Sequence, residues 1–292
     1  MDPKLEGARV VLSLSGGKDS AAASLYLKEL GVEHERVFMD TGWESDDTYR
    51  YIDEVLEPHL GPVVRIESAK FPGGMLPLLR HKAMFPSRLR RFCTSELKVL
   101  PIVKYMNAIE DGGESVVNVI GIRAAESSAR ANLPEWEVMD GQDIDIWRPI
   151  LRWTTDQVIE IHKRHGLAPN PMYLKGASRV GCWPCVFARK REIRLLADLD
   201  PKRVDVIRQL EIELTEEARN RSEAKGEPLN YPRTFFHSHT IGKRNELPVN
   251  IDTVIEWART GHGGKQLLLI ETEPPGCVRW GMCEANVEDD DE

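Results

Sequence analysis

Arg9-Val10-Val11-Leu12-Ser13-Leu14-Ser15-Gly16-Gly17-Lys18-Asp19-Ser20 is the stretch on which the fold turns. Its first half is a short apolar and β-branched run, too short for a helix, and predicts a strand buried on both faces. Its second half is a glycine turn. From Ser20 to Leu30, Ala21, Leu25, Leu27 and Leu30 lie among small residues, a pattern for a helix packed on a sheet and stopped at Gly31. Working outward, Arg36 to Met39 and Val63 to Ile66 repeat the strand signature, with an amphipathic stretch from Asp46 to Leu60 between them. Val116 to Ile122 reads as a fourth strand and Ile144 to Ile150 as a fifth, followed by a helix from Thr154 to His165. Successive βαβ units cross over right-handed, so the expectation is an α/β fold with a parallel sheet flanked by helices.

Beyond about Asn170 the pattern changes. Pro171, Gly176, Gly181 and Pro184 break the chain around two cysteines, and charged helices are expected near Ala188–Leu199 and Pro201–Ala224. The division drawn from this is a nucleotide-binding domain over 1–170 and a cysteine-bearing helical extension over 171–292. The last residues, Val287 to Glu292, form a like-charge run expected to be solvated.

With 292 residues, 41% hydrophobic and 29% charged, the chain has material for a sizeable core. No apolar run of about 18 residues occurs and the N-terminus lacks a basic-then-apolar leader, so the expectation is a cytoplasmic protein with no membrane partner. A net charge of -8 argues against indiscriminate coating of nucleic acid, while leaving room for a local basic patch. Five cysteines favour metal or redox chemistry over a disulfide framework.

Ser15-Gly16-Gly17-Lys18-Asp19-Ser20 joins the end of a strand to the start of a helix, where free backbone N–H groups and the positive helix end face one small volume. The glycines let phosphate oxygens approach the backbone, Ser15 and Ser20 add hydroxyls, and Lys18 adds charge. Asp19 would repel a phosphate, so it either orients the loop or holds Mg²⁺. The bland alternative is an ordinary glycine turn with a serine helix cap.

This string resembles the loop of the PP-loop superfamily, the N-type ATP pyrophosphatases, which adenylate a substrate with ATP and release pyrophosphate. Further strings resemble the phosphoadenosine-phosphosulfate reductase branch: Met39-Asp40-Thr41-Gly42, Cys93-Thr94-Ser95-Glu96-Leu97-Lys98, Gly121-Ile122-Arg123 with Glu126-Ser127 and Arg130, and Arg179-Val180-Gly181-Cys182-Trp183-Pro184-Cys185. The resemblance spans about residues 8 to 190. It implies that Asp40 and Thr41 meet adenine or ribose, that Gly121 borders the nucleotide, and that Arg123 and Arg130 meet phosphate or sulfate oxygens. The residues expected to carry the chemistry are Lys18, Asp19 and Arg123, with ATP and Mg²⁺ as cofactors.

Cys182-Trp183-Pro184-Cys185 sits in a Gly/Pro-broken loop of the kind that lets two thiolates face one metal, although such a pair also serves as a redox disulfide. The resemblance adds Cys93 and implies a [4Fe–4S] cluster, with zinc as the alternative. Phe92 stands where the reductases that hold such a cluster carry an adjacent cysteine, so the fourth ligand is expected from Cys283, or else Cys277. Two basic stretches, Arg80-His81-Lys82 and Arg88-Leu89-Arg90-Arg91, suit either a polyanion or a solvated helix face. His237 and His239 are weak metal candidates, and Phe235 and Phe236 read as core.

The intact loop favours an ATP-dependent adenylyl-transferring and sulfur-transfer enzyme acting on a nucleic-acid or nucleotide-type acceptor, with a protein donor of sulfur or electrons. One alternative is a phosphoadenosine-phosphosulfate or adenylyl sulfate reductase forming sulfite. The other is a nucleotide-sensing subunit that binds ATP without splitting it.

Overall fold

The computed structural model describes residues 2–87, 89–229, 231–236, 248–260 and 280. The strands are β1 (Arg9–Leu14), β2 (Glu35–Met39), β3 (Val63–Ile66), β4 (Val116–Ile120), β5 (Trp136–Val138) and β6 (Asp145–Trp147). They form one sheet in the order β3-β2-β1-β4-β6-β5. All pairings are parallel except β5 with β6, which is antiparallel. The chain therefore builds outward from β1 to β3 on one side, then returns to place β4 on the other side of β1. That reversal makes the carboxyl ends of β1 and β4 the topological switch point of the sheet, the usual ligand position in open α/β sheets.

The helices are α1 (Lys18–Glu29), α2 (Asp46–Tyr51), α3 (Glu57–Leu60), α4 (Met75–Lys82), α5 (Phe92–Thr94), α6 (Leu100–Asp111), α7 (Ser128–Ala131), α8 (Thr155–Arg164), α9 (Pro171–Leu174), α10 (Lys190–Leu199), α11 (Pro201–Glu223) and α12 (Ile251–Arg259). Two π-helical segments, Ile52–Leu56 and Ser95–Val99, run into α3 and α6. Each stands just before a proline, Pro58 or Pro101. A proline has no N–H for the carbonyl four residues back, which accounts for a local shift of the hydrogen-bond ladder.

Differences from the sequence expectations are local. The helix expected from Ser20 opens at Lys18, because Gly17 takes an extended conformation and caps it (φ -91°, ψ 162°). The strand expected over Ile144–Ile150 is only Asp145–Trp147, cut short before Pro149, which cannot donate to a ladder. β5, α4, α6 and α12 were not foreseen. β5 is a three-residue edge strand held by Trp136, whose ring stacks on Trp147 at 5.2 Å.

Both sheet faces are covered, which is why Val10, Val11, Leu12 and Leu14 of β1 are all buried. One face packs Leu12, Leu14 and Val119 against Ala21 and Leu25 of α1 and Val158 and Ile161 of α8. The other packs Val11, Val37 and Val116 against Ile102, Met106 and Ile109 of α6. A third cluster joins Trp43, Leu78 and Leu97 to Trp183, Ile193, Ile207, Leu210 and Phe235, so residues on both sides of position 170 share one core. No helix among the described residues is long and apolar enough to cross a membrane. Val287–Glu292 lies outside the described residues.

Candidate functional site

The loop from Ser15 to Ser20 is braced by its own hydroxyls. Ser15 N–H donates to Ser20 Oγ at 3.1 Å, the two Oγ atoms are 3.1 Å apart, and Ser20 Oγ donates to the Gly17 carbonyl at 3.1 Å. The two serines thus shape the turn as well as facing its mouth. Gly16 has φ +71°, and a Cβ there would come within 2.8 Å of Thr48 Cγ2. Gly17 makes no side-chain cap bond, so the first N–H groups of α1 are left for other partners.

Asp19 lies between two cations. Its carboxylate accepts from Arg123 Nε and lies 3.4 Å from Lys18 Nζ. Arg123 is 5% exposed and its Nη1 also donates to Thr155 Oγ1 at 3.0 Å. Of the two roles read for Asp19, this geometry suits orienting the loop. Gly121 closes the wall: a Cβ there would lie 2.6 Å from Ser20 Cα, so the end of β4 touches the start of α1 backbone to backbone. Arg130 is set further out on α7 and is paired with Glu126, whose carboxylate also accepts Arg123 N–H at 2.8 Å.

The Met39–Gly42 string follows β2 as expected. Asp40 Oδ1 accepts from Gly42 N–H at 2.9 Å and Tyr49 Oη–H at 2.7 Å. Thr41 is buried, and its hydroxyl donates at 2.8 Å to Glu44, a carboxylate only 1% exposed. Glu44 also accepts from Trp43 N–H, and its Oε2 lies 3.1 Å from Tyr49 Oη. Cys182 then pairs with Glu44 through an isolated antiparallel bridge, with its Sγ 3.9 Å from Thr41 Oγ1 and 4.0 Å from Glu44 Oε1. The Met39–Gly42 string and the cysteine loop therefore share a wall. Trp43 strengthens it, accepting Trp183 N–H at 2.7 Å and donating Nε1–H to the Pro184 carbonyl at 3.0 Å.

Cys93, Cys182 and Cys185 are free thiols drawn to the same region. Burial, aided by Glu44, pushes the Cys182 thiol up to about 11, against the pull of Lys98. Burial also raises Cys93, with Cys185 adding to the effect. Lys98, from the π segment before α6, is held above its ordinary range chiefly by Cys182, then by Glu44, Cys185 and Cys93. One ammonium thus senses all three sulfurs and the buried carboxylate, with its Nζ 3.9 Å from Glu44 Oε1. Among the described residues no group of three His, Cys, Asp or Glu side chains is arranged to hold a metal ion. Cys277 and Cys283 lie outside the described residues, as do His237 and His239.

Four participants were not picked out from the sequence. Glu44 and Lys98 sit inside or beside quoted strings but carried no signal of burial. Asn170 and Tyr173 approach the loop from α9, a contact no local pattern announces. His162 adds a fifth neighbour, its Nε2 2.9 Å from the Lys18 carbonyl, and burial holds it below its ordinary range. Of the basic stretches, Arg80 pairs with Glu213 and Lys82 with Glu96, the solvated-face arrangement. Arg91 instead lies over the Phe187 ring at 5.2 Å, and Arg179 Nη2 reaches Cys185 Sγ at 3.6 Å. Arg88 lies outside the described residues. Phe235 and Phe236 are core.

The sequence profile of the phosphoadenosine phosphosulfate reductase domain matches residues 9–188. The chain is 33% identical to an uncharacterized 37.8 kDa protein of Escherichia phage 186, over 94% of this chain and 96% of that one. It is 29% identical to the adenosine 5′-phosphosulfate reductase of Deinococcus radiodurans, over 56% of this chain and 60% of that enzyme. A solved phosphoadenylyl-sulfate reductase from Candida auris superposes with a TM-score of 0.47 and 16% identity, over 61% of this chain and 82% of that one. With the profile running from β1 through the paired cysteines, this chain belongs to the phosphoadenosine phosphosulfate reductase domain family, whose members include nucleotide-using enzymes.

Proposed function

We propose that this chain is an adenylyl-transferring enzyme that splits ATP between its α and β phosphates and then passes sulfur to the activated acceptor, a nucleic acid or nucleotide-type molecule. The observation that carries the reading is that an uninterrupted phosphate loop, with Lys18, Asp19 and Arg123 beside it, stands in one fold with a Thr41–Glu44 wall against which Cys182 packs. The loop's N–H groups and Lys18 would hold the departing pyrophosphate. Asp19 keeps Lys18 and Arg123 in place so that neither must be ordered when charge develops on the phosphate. An acceptor oxygen attacks the α phosphorus, the bond to the β phosphate's bridging oxygen breaks, and sulfur later displaces AMP from the acceptor. Mg²⁺ would arrive with the nucleotide phosphates. Arg130 and Asp40 line the approach for phosphate and ribose.

The three thiols are not arranged as a metal site among the described residues; if Cys93, Cys182 and Cys185 were drawn together they would be soft donors, which suit an iron–sulfur cluster better than a hard ion. Cys283 would complete it. A bound cluster would supply soft sulfur coordination and electrons beside the nucleotide, and zinc on the same thiols would be structural only. A second reading is favoured by the named reductases among the relatives. In it, adenylyl sulfate or its 3′-phosphorylated form is cleaved to sulfite by electrons from a thiol donor.

Chromatography of nucleotide products from anaerobically purified protein separates the two. The chain is offered Mg–ATP with sulfide, and in parallel phosphoadenosine phosphosulfate with a reduced thiol. AMP and pyrophosphate from ATP support adenylyl transfer. Sulfite with adenosine bisphosphate, and no pyrophosphate from ATP, overturns it in favour of the reductase.

A further inference from the structure

The short helix α9 grips the phosphate loop from two sides. Asn170, 1% exposed, donates from Nδ2 to the Gly16 carbonyl at 3.1 Å and to Thr48 Oγ1 at 3.3 Å. Its Oδ1 accepts Met172 N–H at 2.9 Å, which caps α9 and fixes its direction. One turn later Tyr173, 5% exposed, brings its hydroxyl to the start of α1, where Lys18 N–H donates to Oη at 3.2 Å. The same oxygen lies 3.4 Å from the point where a Cβ on Gly17 would stand, and the Val180 carbonyl lies 3.7 Å from it. Lys18 Nζ sits 4.8 Å from the centre of the Tyr173 ring. Cation, ring and hydroxyl are thus stacked at the place where the free N–H groups of α1 converge.

A phenol hydroxyl has one proton to give as well as lone pairs to accept with. Here the accepting side is used by Lys18 N–H, and no acceptor for the proton is found among the described residues. Leaving such a buried donor unpaired costs free energy that a ligand oxygen would recover. Burial holds the hydroxyl above its ordinary pKa, against the pull of Lys18, so the proton stays on.

We propose that Tyr173 is a phosphate-binding residue: its Oη–H donates to a non-bridging oxygen of the nucleotide's pyrophosphate while its oxygen keeps the Lys18 N–H. This rests on the reading above that Ser15–Ser20 receives phosphate. It also gives the cysteine-bearing segment a direct hold on the nucleotide, because Tyr173 leads through Val180 to Cys182 in one stretch of chain.

The test is calorimetric titration of the full chain with inorganic pyrophosphate, ATP and adenosine, comparing wild type with Tyr173→Phe. Phenylalanine retains the ring under Lys18 and loses only the hydroxyl. A hydrogen bond to a charged oxygen corresponds to a weakening of about 10-fold or more for pyrophosphate and ATP, with adenosine unchanged. Equal or tighter pyrophosphate binding by the variant overturns the assignment while leaving the loop reading intact. Failure of wild type to bind either pyrophosphate or ATP overturns both. A lowered melting temperature in the variant would be met with 3-fluorotyrosine at position 173. Its fluorine resonance should then move with pyrophosphate and not with adenosine, and a resonance indifferent to pyrophosphate overturns the assignment.

Discussion

A methyl group on Gly121 would lie 2.8 Å from the Asp19 carbonyl oxygen and 2.9 Å from Ser20 N, neither of which can swing aside. Gly121 has no unusual backbone angle; what it supplies is thinness, so that β4 can end against the first turn of α1. Gly121→Ala should therefore destabilise the fold by about 1–3 kcal/mol, the usual cost of overpacking. It should also weaken ATP binding, since the contact atoms belong to the loop itself. Urea unfolding with an unchanged midpoint would show that the two elements can part without cost. Gly74 is a similar case, with φ +77° and a Cβ position 1.9 Å from the Thr41 carbonyl oxygen. There the crossing chains are α4 and the segment after β2. Each position admits no side chain because two backbones meet there, one at the loop and the other at the Asp40–Thr41 string.

At the scale of elements, α11 is fastened to α12 by one buried carboxylate. Glu211 accepts the Phe235 N–H at 3.0 Å and the Ile251 N–H at 3.0 Å, the latter from the first residue of α12. Burial pushes its carboxyl up to about 7, against the pull of those two N–H groups, with Asp252 raising it further and Arg208 lowering it. A carboxyl whose folded pKa is raised binds more protons folded than unfolded between its ordinary value, 4.5, and about 7. Stability from this group is thus full below pH 4.5 and is lost as pH rises through about 7. Glu211→Gln should remove that dependence, changing the slope of unfolding free energy between those limits by on the order of 1–3 kcal/mol in total. Parallel urea curves for both proteins at pH 5, 6, 7 and 8 would measure it, and identical slopes would rule the account out. Arg208 pairs with Asp252 across the same two helices and should be left in place for the comparison.

For the molecule as a whole, the question is how the segment beyond residue 170 is held to the sheet. Besides α9 and the shared apolar core, part of the hold passes through Trp43 and Arg203. Arg203 Nη2 donates to the Glu44 carbonyl at 3.1 Å, and its guanidinium lies 4.4 Å from the centre of the Trp43 ring. Trp43 is 1% exposed and stacks on Phe235 at 6.3 Å. Arg203→Ala removes a hydrogen bond and a desolvated cation–π contact together, an expected loss of about 1–3 kcal/mol. Because Glu44 bonds Thr41 on one side and meets Cys182 on the other, the variant should also expose Cys182. Its alkylation by iodoacetamide, followed by mass spectrometry, should run several-fold faster than in wild type. An unchanged rate would mean that the bridge between Glu44 and Cys182 stands without α11.

The strand β1, the glycine turn after it and the helix beyond were legible because each depends on near neighbours. An apolar run must be buried, two glycines permit a tight turn, and small residues with periodic leucines form a helix on a sheet. For the same reason β2, β3 and β4, the cap at Thr154 and the long helix from Pro201 were readable in the chain. The Ser15–Ser20 turn was readable as a candidate site, since it brings most of its donors within one hexapeptide. What only the tertiary structure decided is which distant groups meet there. The crossover that sets β4 beside β1 brings Arg123 to Asp19, and α9 brings Asn170 and Tyr173 to Gly16 and Lys18. The bridge from Glu44 to Cys182, with Lys98 alongside, joins three segments far apart in the chain. Hydrophobic period and turn chemistry act over a few residues and carry no information about such meetings, which follow from strand order and from the packing of one helix layer on another.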